Sequence, residues 1–422
     1  MKWNERTRSP GSRKGIRHPA KDGLHDRYHS FTGWPIWHTQ PHPDATLGST
    51  IGALYIHADG TTAIQGNTGM TRWVALALGL AAMLCGSVSV ATDVTVSPAC
   101  VGKPGKVDES SFVSIGGIEQ WVTAKGDSCA SPVLFFISGG PGNPLSGLSD
   151  SIYGAGQRDF IVVQWDQRGA GMTYGRNPPP EDEKLTLERM TQDGNELAAY
   201  LIKRYGKRKV ILWGSSWGSI LAVHMAKAHP EQFYAYVGTS QLVNSLDAQA
   251  VSYKKLLALA TKADDKASLD VLNQVGTPPW SDPRSFGKVR KVIRKYEAQV
   301  TTPPPPTWHR APEYTTAKAE ADYEAGEDYS FMNFVGMHGD GMLSQVDLPK
   351  LGTDFAMPVY FIEGAHDLLA PPELARRYLD SIKAPQKGFV LLEHSGHDPN
   401  QEVVDAEYKV LREKVLPLVH DH

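Results

Sequence analysis

The stretch "ILWGSSWGSILAVHMAKAH", Ile211 to His229, decides the fold class. It begins as a continuous apolar run, breaks at small residues around Ser216 and resumes with an amphipathic pattern. This order predicts a buried strand, a sharp turn and a helix. The segment Gly214 to Gly218 reads "GSSWG" and fits GxSxG. Such a turn exposes the hydroxyl of its central serine, so Ser216 is a candidate nucleophile; the alternative is an ordinary serine in a glycine-rich turn.

Similar apolar runs occur on both sides of that stretch. They are short, nearly continuous and end in turn residues, which is typical of parallel strands covered on both faces. Including the run before Ser216, they lie at 131–140, 159–169, 209–216, 233–240, 357–364 and 387–396. Helical patterns separate them, clearest at 186–206 and 371–382. The sequence predicts an α/β fold with a mostly parallel sheet and helices on both faces.

Residues 245–345 depart from this alternation. They carry helical patterns, the proline run "TTPPPPTW" and an acidic cluster, without a strand of the core type. A polyproline segment is stiff and cannot join a sheet. We therefore expect a helical cap, inserted into a core formed by 100–244 and 346–422, over the carboxyl ends of the strands.

Residues 70–91 look like a secretory signal peptide. A single positive residue, Arg72, precedes an apolar stretch from Trp73 to about Cys85, and small residues come before a possible cut. Residues 1–69 lack helix or strand periodicity, so we expect a non-native or disordered extension with Met70 as the true start. The alternative is an N-terminal membrane anchor. Cleavage would give a periplasmic or secreted protein without a stable membrane span.

Composition limits the partners that we expect. The 422 residues carry a net charge of −3, which gives no general reason to expect nucleic acid as a partner. Cys100 and Cys129 would remain after signal cleavage, either as a disulfide formed in an oxidising compartment or as two free thiols. Neither lies among histidines at metal-ligand spacing, so no metal and no other cofactor is expected.

A serine nucleophile needs a base, and the base needs an orienting acid. Asp367 follows the run "PVYFIEGAH", and His397 follows "FVLLEHSG". Serine, acid and histidine thus appear in the chain order of α/β-hydrolases. The alternatives are His394 as the base and Asp340 or Asp247 as the acid.

The segment "SGGPG", Ser138 to Gly142, ends another predicted strand. Residues without side chains let backbone N–H groups approach a substrate oxygen. We expect the N–H groups of Gly140 and Trp217 to form an oxyanion hole, in which one donor contributes roughly 3 to 4 kcal/mol to the transition state. A purely structural turn is the alternative.

Together, "SGGPG", "WDQRGAGMT", "GSSWGS", "GAHD" and "SGHD" resemble the prolyl iminopeptidase branch of the α/β-hydrolase fold, serine peptidases that remove an N-terminal proline. The similarity covers nearly all of 112–415, and the cap matches least. The resemblance implies Ser216 as nucleophile, Asp367 as acid and His397 as base. It also implies that Asp166, Gln167 and Arg168 form a buried polar network that braces the loops of the site.

Two departures from the family pattern concern the loop and the cap. Ser138 stands where the family usually has histidine. The family holds the substrate's amino group with cap carboxylates, which here could be Glu320, Glu324, Glu327 and Asp328; the alternative is a solvated acidic helix face. We expect an exported aminopeptidase acting on peptides, or else an esterase or amidase acting on small acyl substrates. A non-catalytic binding module is a third possibility.

Overall fold

The computed structural model describes residues 99–100, 105–180 and 182–419. The predicted extension (1–69) and signal peptide (70–91) lie outside the described residues. Within those ranges, no helix is long and apolar enough to cross a membrane.

Eight strands form one sheet in the order β1-β2-β4-β3-β5-β6-β7-β8. They are β1 (Val107–Ile115), β2 (Ile118–Gly126), β3 (Val133–Ile137), β4 (Ile161–Asp166), β5 (Val210–Ser215), β6 (Phe233–Thr239), β7 (Val359–Gly364) and β8 (Lys387–Leu392). The strands β3 to β8 correspond to the six predicted runs and pair in parallel. The pairs β1 with β2 and β2 with β4 are antiparallel. The mostly parallel sheet confirms the predicted α/β-hydrolase fold.

Ten α-helices lie within the described ranges. They are α1 (Ser149–Tyr153), α2 (Gly171–Arg176), α3 (Leu187–Tyr205), α4 (Trp217–Ala228), α5 (Ser245–Lys262), α6 (Lys266–Val275), α7 (Pro283–Glu297), α8 (Ala317–Val335), α9 (Pro372–Ser381) and α10 (Gln401–Val410). The helix predicted at 186–206 is α3; it begins after Thr186, whose side chain accepts a hydrogen bond from Arg189 N. Such a cap stabilises a helix by roughly 1 kcal/mol.

The sheet separates two apolar cores. On β3, Val133, Phe135 and Ile137 face the core that α3, α4 and α9 cover, whereas Leu134 and Phe136 face the core that α1 and α10 cover. Successive side chains of a strand point to opposite faces. A strand with a core on each side is therefore apolar at most positions, which explains the nearly continuous runs in the sequence.

The segment between β6 and β7 contains α5 to α8, and residues 245–345 contain no strand. Where the chain leaves and re-enters the core, Asn244 and Asp347 pair in an isolated bridge. Phe286 of α7 packs against Phe331 of α8, and both are buried. These helices therefore have apolar contacts of their own, and we call residues 245–345 the cap.

Cys100 and Cys129 are joined by a disulfide, with their Cα atoms 5.5 Å apart. The bond ties the segment before β1 to the turn between β2 and β3. The backbone N–H of Cys129 also donates to Gly105 O at 2.9 Å. The described N-terminal segment is thus attached to the turn between β2 and β3.

Glu407 of α10 carries a buried carboxyl group on the side of the sheet that α1 and α10 cover. Its Oε1 accepts a hydrogen bond from Thr239 Oγ1 at 2.8 Å, and its Oε2 has no hydrogen-bond partner among the described residues. Burial raises the pKa of Glu407 to about 8. The folded protein therefore keeps this proton to a higher pH than the unfolded chain does, so the free energy of unfolding falls as pH rises from about 4.5 to about 8.

We predict that Glu407→Gln removes this pH dependence, because glutamine is close in shape to the protonated carboxyl. The variant should differ little from the parent near pH ~5 and be more stable by a few kcal/mol near pH ~9, at about 1.4 kcal/mol per pKa unit. Urea unfolding across this range measures the difference. Glu413→Gln, at an exposed position, is the control with the same change in charge. The prediction would be contradicted if the free energy of unfolding depended on pH in the same way for Glu407→Gln and the parent.

Candidate active site

Ser216 lies in the turn between β5 and α4, with φ 54° and ψ −120°. A residue with a side chain adopts positive φ only under constraint, at a cost of roughly 1 to 3 kcal/mol. The backbone N–H of Ser216 donates to Thr239 O, at the end of β6, at 3.0 Å. The turn is therefore anchored to the neighbouring strand, and it presents the serine hydroxyl at the carboxyl end of the sheet.

Both glycines of the GxSxG pattern are required by close packing. A Cβ atom at Gly214 would lie 2.4 Å from Gly218 O, and a Cβ atom at Gly218 would lie 2.0 Å from Ile137 O. Neither backbone oxygen belongs to a flexible side chain that could move away. The two glycines thus allow α4 to start directly against β3 and β5.

His397 and Asp367 complete a chain of hydrogen bonds from Ser216. His397 Nε2 is 2.9 Å from Ser216 Oγ, and His397 Nδ1 is 2.9 Å from Asp367 Oδ2. The carboxylate fixes the proton on Nδ1, which leaves Nε2 free to accept from the serine hydroxyl. Asp367 is fully buried, and its Oδ1 accepts the backbone N–H groups of Leu369 and Ala370.

The electrostatics around His397 favour its role as a proton acceptor. Burial opposes the imidazolium, but the negative charge of Asp367 and the hydrogen bond to it outweigh this effect and raise the pKa of His397. A base with such a partner holds the serine proton more firmly than a free histidine does.

The structure does not bring the alternative residues into this chain. His394, Asp340 and Asp247 are exposed. His394 lies in the turn beyond β8, because the strand ends at Leu392, earlier than its apolar pattern suggested.

Gly140 and Ser216 line the same cavity, and Trp217 follows Ser216 as the first residue of α4. In the part of the chain that the structure describes, the backbone N–H groups of Gly140 and Trp217 have no hydrogen-bond partner. Free N–H groups beside a nucleophile, one of them at a helix N-terminus, favour a developing negative charge. This arrangement can stabilise an oxyanion.

Gln167 connects the oxyanion loop to the helix after the nucleophile. Its Nε2 donates to Ser138 O at 3.0 Å, and its Oε1 accepts from Trp217 Nε1 at 2.9 Å. Gln167 and Ser138 are almost completely buried. The neighbouring Asp166 accepts from Met172 N, and burial raises the pKa of Asp166 to about 7.

Asp193 of α3 is a further member of this network, and the sequence analysis missed it. It is fully buried and accepts hydrogen bonds from Gln120 Nε2 at 2.9 Å and Arg168 Nε at 2.8 Å. Arg168 also donates to Gly116 O, so the network links α3 to the turn between β1 and β2. A signal was present, since Asp193 falls on the apolar face of α3, between Met190 and Leu197.

Glu297, the last residue of α7, connects the cap to both loops that carry His397 and Asp367. Its Oε1 accepts from Leu368 N at 2.7 Å, and its Oε2 accepts from His397 N at 3.2 Å. Burial, followed by the negative charge of Asp367, raises the pKa of Glu297 to about 7. A signal was present here as well, since Glu297 falls on the apolar face of α7, four residues after Ile293.

A cavity with an empty volume of about 730 Å³, including its opening to solvent, surrounds Ser216 and His397. Most of its lining is apolar. The apolar residues are Pro141, Leu242, Ala248, Phe286, Phe331, Phe334, Leu343 and Leu369. The polar side chains are those of Asn143, Ser245, Gln249 and Arg290, besides Ser216 and His397.

The four acidic cap residues differ in their relation to this cavity. Glu320, Glu324 and Asp328 are exposed, and none of them lines it. Glu327 is half-buried, and its Oε1 accepts from Asn143 Nδ2, a group of the cavity wall, at 2.6 Å. Among the four, Glu327 is therefore the carboxylate in contact with the cavity lining.

Comparisons with known proteins agree with this geometry. A family model described as serine aminopeptidase, S33, matches residues 148–403. A probable aminopeptidase, YbaC, of Bacillus subtilis is 28% identical over 69% of this chain and 91% of its own length. A proline iminopeptidase of Clostridioides difficile is 25% identical over 66% of this chain and 88% of its own length. The crystal structure of a proline iminopeptidase from Mycobacterium smegmatis, 19% identical, covers 73% of this chain and 97% of its own with a TM-score of 0.52, so the fold is shared.

Proposed function

Because the chain belongs to the serine aminopeptidase family S33 and is a prolyl iminopeptidase-like α/β-hydrolase, we propose that it releases N-terminal residues, proline foremost, from peptides. Ser216 is the proposed nucleophile, His397 the base and Asp367 the orienting acid. The observation that carries this proposal is the continuous chain of 2.9 Å contacts from Ser216 Oγ through His397 to Asp367.

The proposed acylation begins when Ser216 Oγ attacks the carbonyl carbon of the scissile bond and its proton moves to His397 Nε2. The negative charge on the carbonyl oxygen is stabilised by the N–H groups of Gly140 and Trp217. Asp367 stabilises the imidazolium. The tetrahedral intermediate then breaks the C–N bond, and His397 gives its proton to the leaving amine.

Deacylation repeats these steps with water. The water oxygen attacks the carbonyl carbon of the acyl-enzyme while His397 accepts a proton from the water. The ester bond to Ser216 then breaks, and His397 gives the proton to Ser216 Oγ. The products are the free N-terminal amino acid and the shortened peptide.

Recognition of the substrate's amino group is proposed for Glu327. A peptide amine is positively charged when protonated, so it needs an acceptor of negative charge close to the reacting carbonyl. Glu327 touches Asn143 in the cavity wall, and only its Oε1 is used in that contact. Its second oxygen is the proposed acceptor for the amine.

Esterase or amidase activity on small acyl substrates is the second candidate. The apolar lining around Ser216, which includes Phe286, Phe331 and Phe334, would also accommodate an acyl chain. Such an activity would use the same nucleophile, base and oxyanion donors without needing a free amine.

Export is proposed as the setting of this activity. The signal-like segment 70–91 and the disulfide between Cys100 and Cys129 support it, since disulfides persist in oxidising compartments. N-terminal sequencing of the exported protein should find a start near residue 92. A start at residue 2 or 3 would reject Met70 as the translation start.

We predict that the enzyme hydrolyses proline p-nitroanilide at least ~10-fold better, in kcat/KM, than N-acetylproline p-nitroanilide, because acetylation removes the charge that Glu327 binds. Ser216→Ala should lower kcat by several orders of magnitude without changing the folded state. Chromogenic assays with nitrophenyl butyrate in parallel make the comparison, and circular dichroism checks the fold. Hydrolysis of the ester alone would favour an esterase activity. Retained activity of Ser216→Ala would reject Ser216 as the nucleophile.

We predict that Glu327→Gln lowers kcat/KM for proline p-nitroanilide roughly 10- to 100-fold, because the charged hydrogen bond to the amine is lost. The glutamine oxygen can still accept from Asn143, so the cavity wall is kept. Hydrolysis of nitrophenyl butyrate should change little. Glu324→Gln, an exposed position on the same helix, is the matched control. Equal losses on the anilide and the ester would contradict a role in amine binding.

A further inference from the structure

Arg290 of α7 lines the catalytic cavity together with Ser216 and His397. It is half-buried, and within the described ranges its guanidinium has neither a hydrogen bond nor an ion pair. Its charge is near enough to His397 to oppose the rise in the pKa of that imidazole that Asp367 causes. Arg290 is therefore a positive charge inside the catalytic cavity without a protein partner.

None of the neighbouring carboxylates among the described residues forms an ion pair with Arg290. Glu297 accepts two backbone N–H groups, and Asp398 is 3.7 Å from Arg294, one turn further along α7. A guanidinium stays ionised at any physiological pH, and charges withdrawn from water are normally paired. Arg290 also faces the apolar side chains of the cavity, which offer no compensation. Its natural partner is thus an anionic group of the substrate.

We propose that Arg290 binds a carboxylate carried by the residue that follows the scissile bond. This inference rests on the aminopeptidase activity proposed above and names its substrate class as short peptides with an acidic group at that position. The planar guanidinium can donate two parallel hydrogen bonds to a carboxylate, which gives orientation as well as affinity.

Chain geometry makes a dipeptide the simplest source of that carboxylate. Consecutive Cα atoms are about 3.8 Å apart, so the C-terminal carboxylate of a dipeptide lies beside the scissile bond and within the same cavity. Each added residue moves the C-terminus away by up to roughly 3.5 Å. An aspartate side chain at the second position is the other source of the same chemistry.

The peptide ends would then meet opposite charges of the cap. Glu327 takes the amine and Arg290 takes the carboxylate, while the carbonyl between them reaches Ser216. Both residues come from cap helices, α8 and α7, so the cap would select the substrate and the core would supply the chemistry.

The test measures kcat/KM of the full chain for four substrates: prolyl-alanine, prolyl-alanine amide, prolyl-aspartate amide and proline p-nitroanilide. We expect kcat/KM for prolyl-alanine to exceed that for its amide roughly 10- to 100-fold, which is the effect of losing one charged hydrogen bond. If the aspartate side chain can supply the carboxylate, kcat/KM for prolyl-aspartate amide will also exceed that for prolyl-alanine amide. The anilide carries no carboxylate and reports the proposed aminopeptidase activity alone.

Two variants locate the effect at Arg290. Arg290→Met should abolish the preference for the free carboxylate, so that kcat/KM becomes equal for prolyl-alanine and its amide. Any effect of the lost charge on His397 acts on all four substrates alike and cancels in this ratio. Arg290→Lys should keep part of the preference, because it retains the charge and loses the paired donors. Lys291→Met, at the adjacent exposed position, is the control with the same loss of charge and should keep the full preference.

The outcomes separate the two proposals. If the parent enzyme fails to hydrolyse proline p-nitroanilide and all three peptides, the aminopeptidase assignment itself fails. If the anilide is hydrolysed but prolyl-alanine and its amide are cleaved equally well, the carboxylate site is wrong. The carboxylate site is also wrong if Arg290→Met lowers kcat/KM for all four substrates by the same factor. Such a result would report only the loss of charge beside His397, which acts on every substrate alike.

Discussion

The turn at Ser216 is the constraint on which the remaining structure of the site depends. Its positive φ is maintained by the bond from Ser216 N to Thr239 O and by the contact of Gly218 with the end of β3. These contacts fix the serine hydroxyl relative to three neighbouring strands. The histidine and aspartate come from the ends of β8 and β7, so the order of strands in the sheet sets the distance between the catalytic groups.

Gln167 explains how the loop tolerates its departure from the family pattern at Ser138. The main contact from Gln167 Nε2 goes to the backbone oxygen of Ser138, with the hydroxyl at 3.3 Å as a second contact. Since a backbone oxygen exists whatever the side chain is, the loop remains joined to Trp217 without a histidine. The buried polar network expected from the "DQRG" motif is therefore organised around backbone groups and Asp193.

The sequence was sufficient for the parts of the molecule that follow from local patterns. The strands β3 to β7 are buried and mostly apolar because both faces are covered, whereas β8 at the edge of the sheet is only partly buried but keeps an apolar run. The triad follows from the order of these strands. The strands β1 and β2 mix buried with partly or fully exposed residues, so they gave no continuous apolar run and were not predicted. Glu297 and Arg290 lie on a charged helix whose docking onto the core depends on tertiary contacts. Both fall on the apolar face of α7, at helical spacing from Ile293, so the local pattern marks them as unusual but does not show which groups of the core they meet. The dependence on tertiary contacts also left Glu327 unresolved among the acidic residues of α8.

Glu297 also bears on how substrate range can change in this architecture. A cap inserted between two strands is often regarded as a module that can be exchanged while the core is kept. Here the last residue of α7 supplies acceptors for the backbone of the loops that carry His397 and Asp367. A different cap would have to bring an equivalent carboxylate to the same place, or leave two backbone N–H groups of the catalytic loops unpaired. Changes in the sequence of the cap at this position therefore require matching changes in the loops of the core.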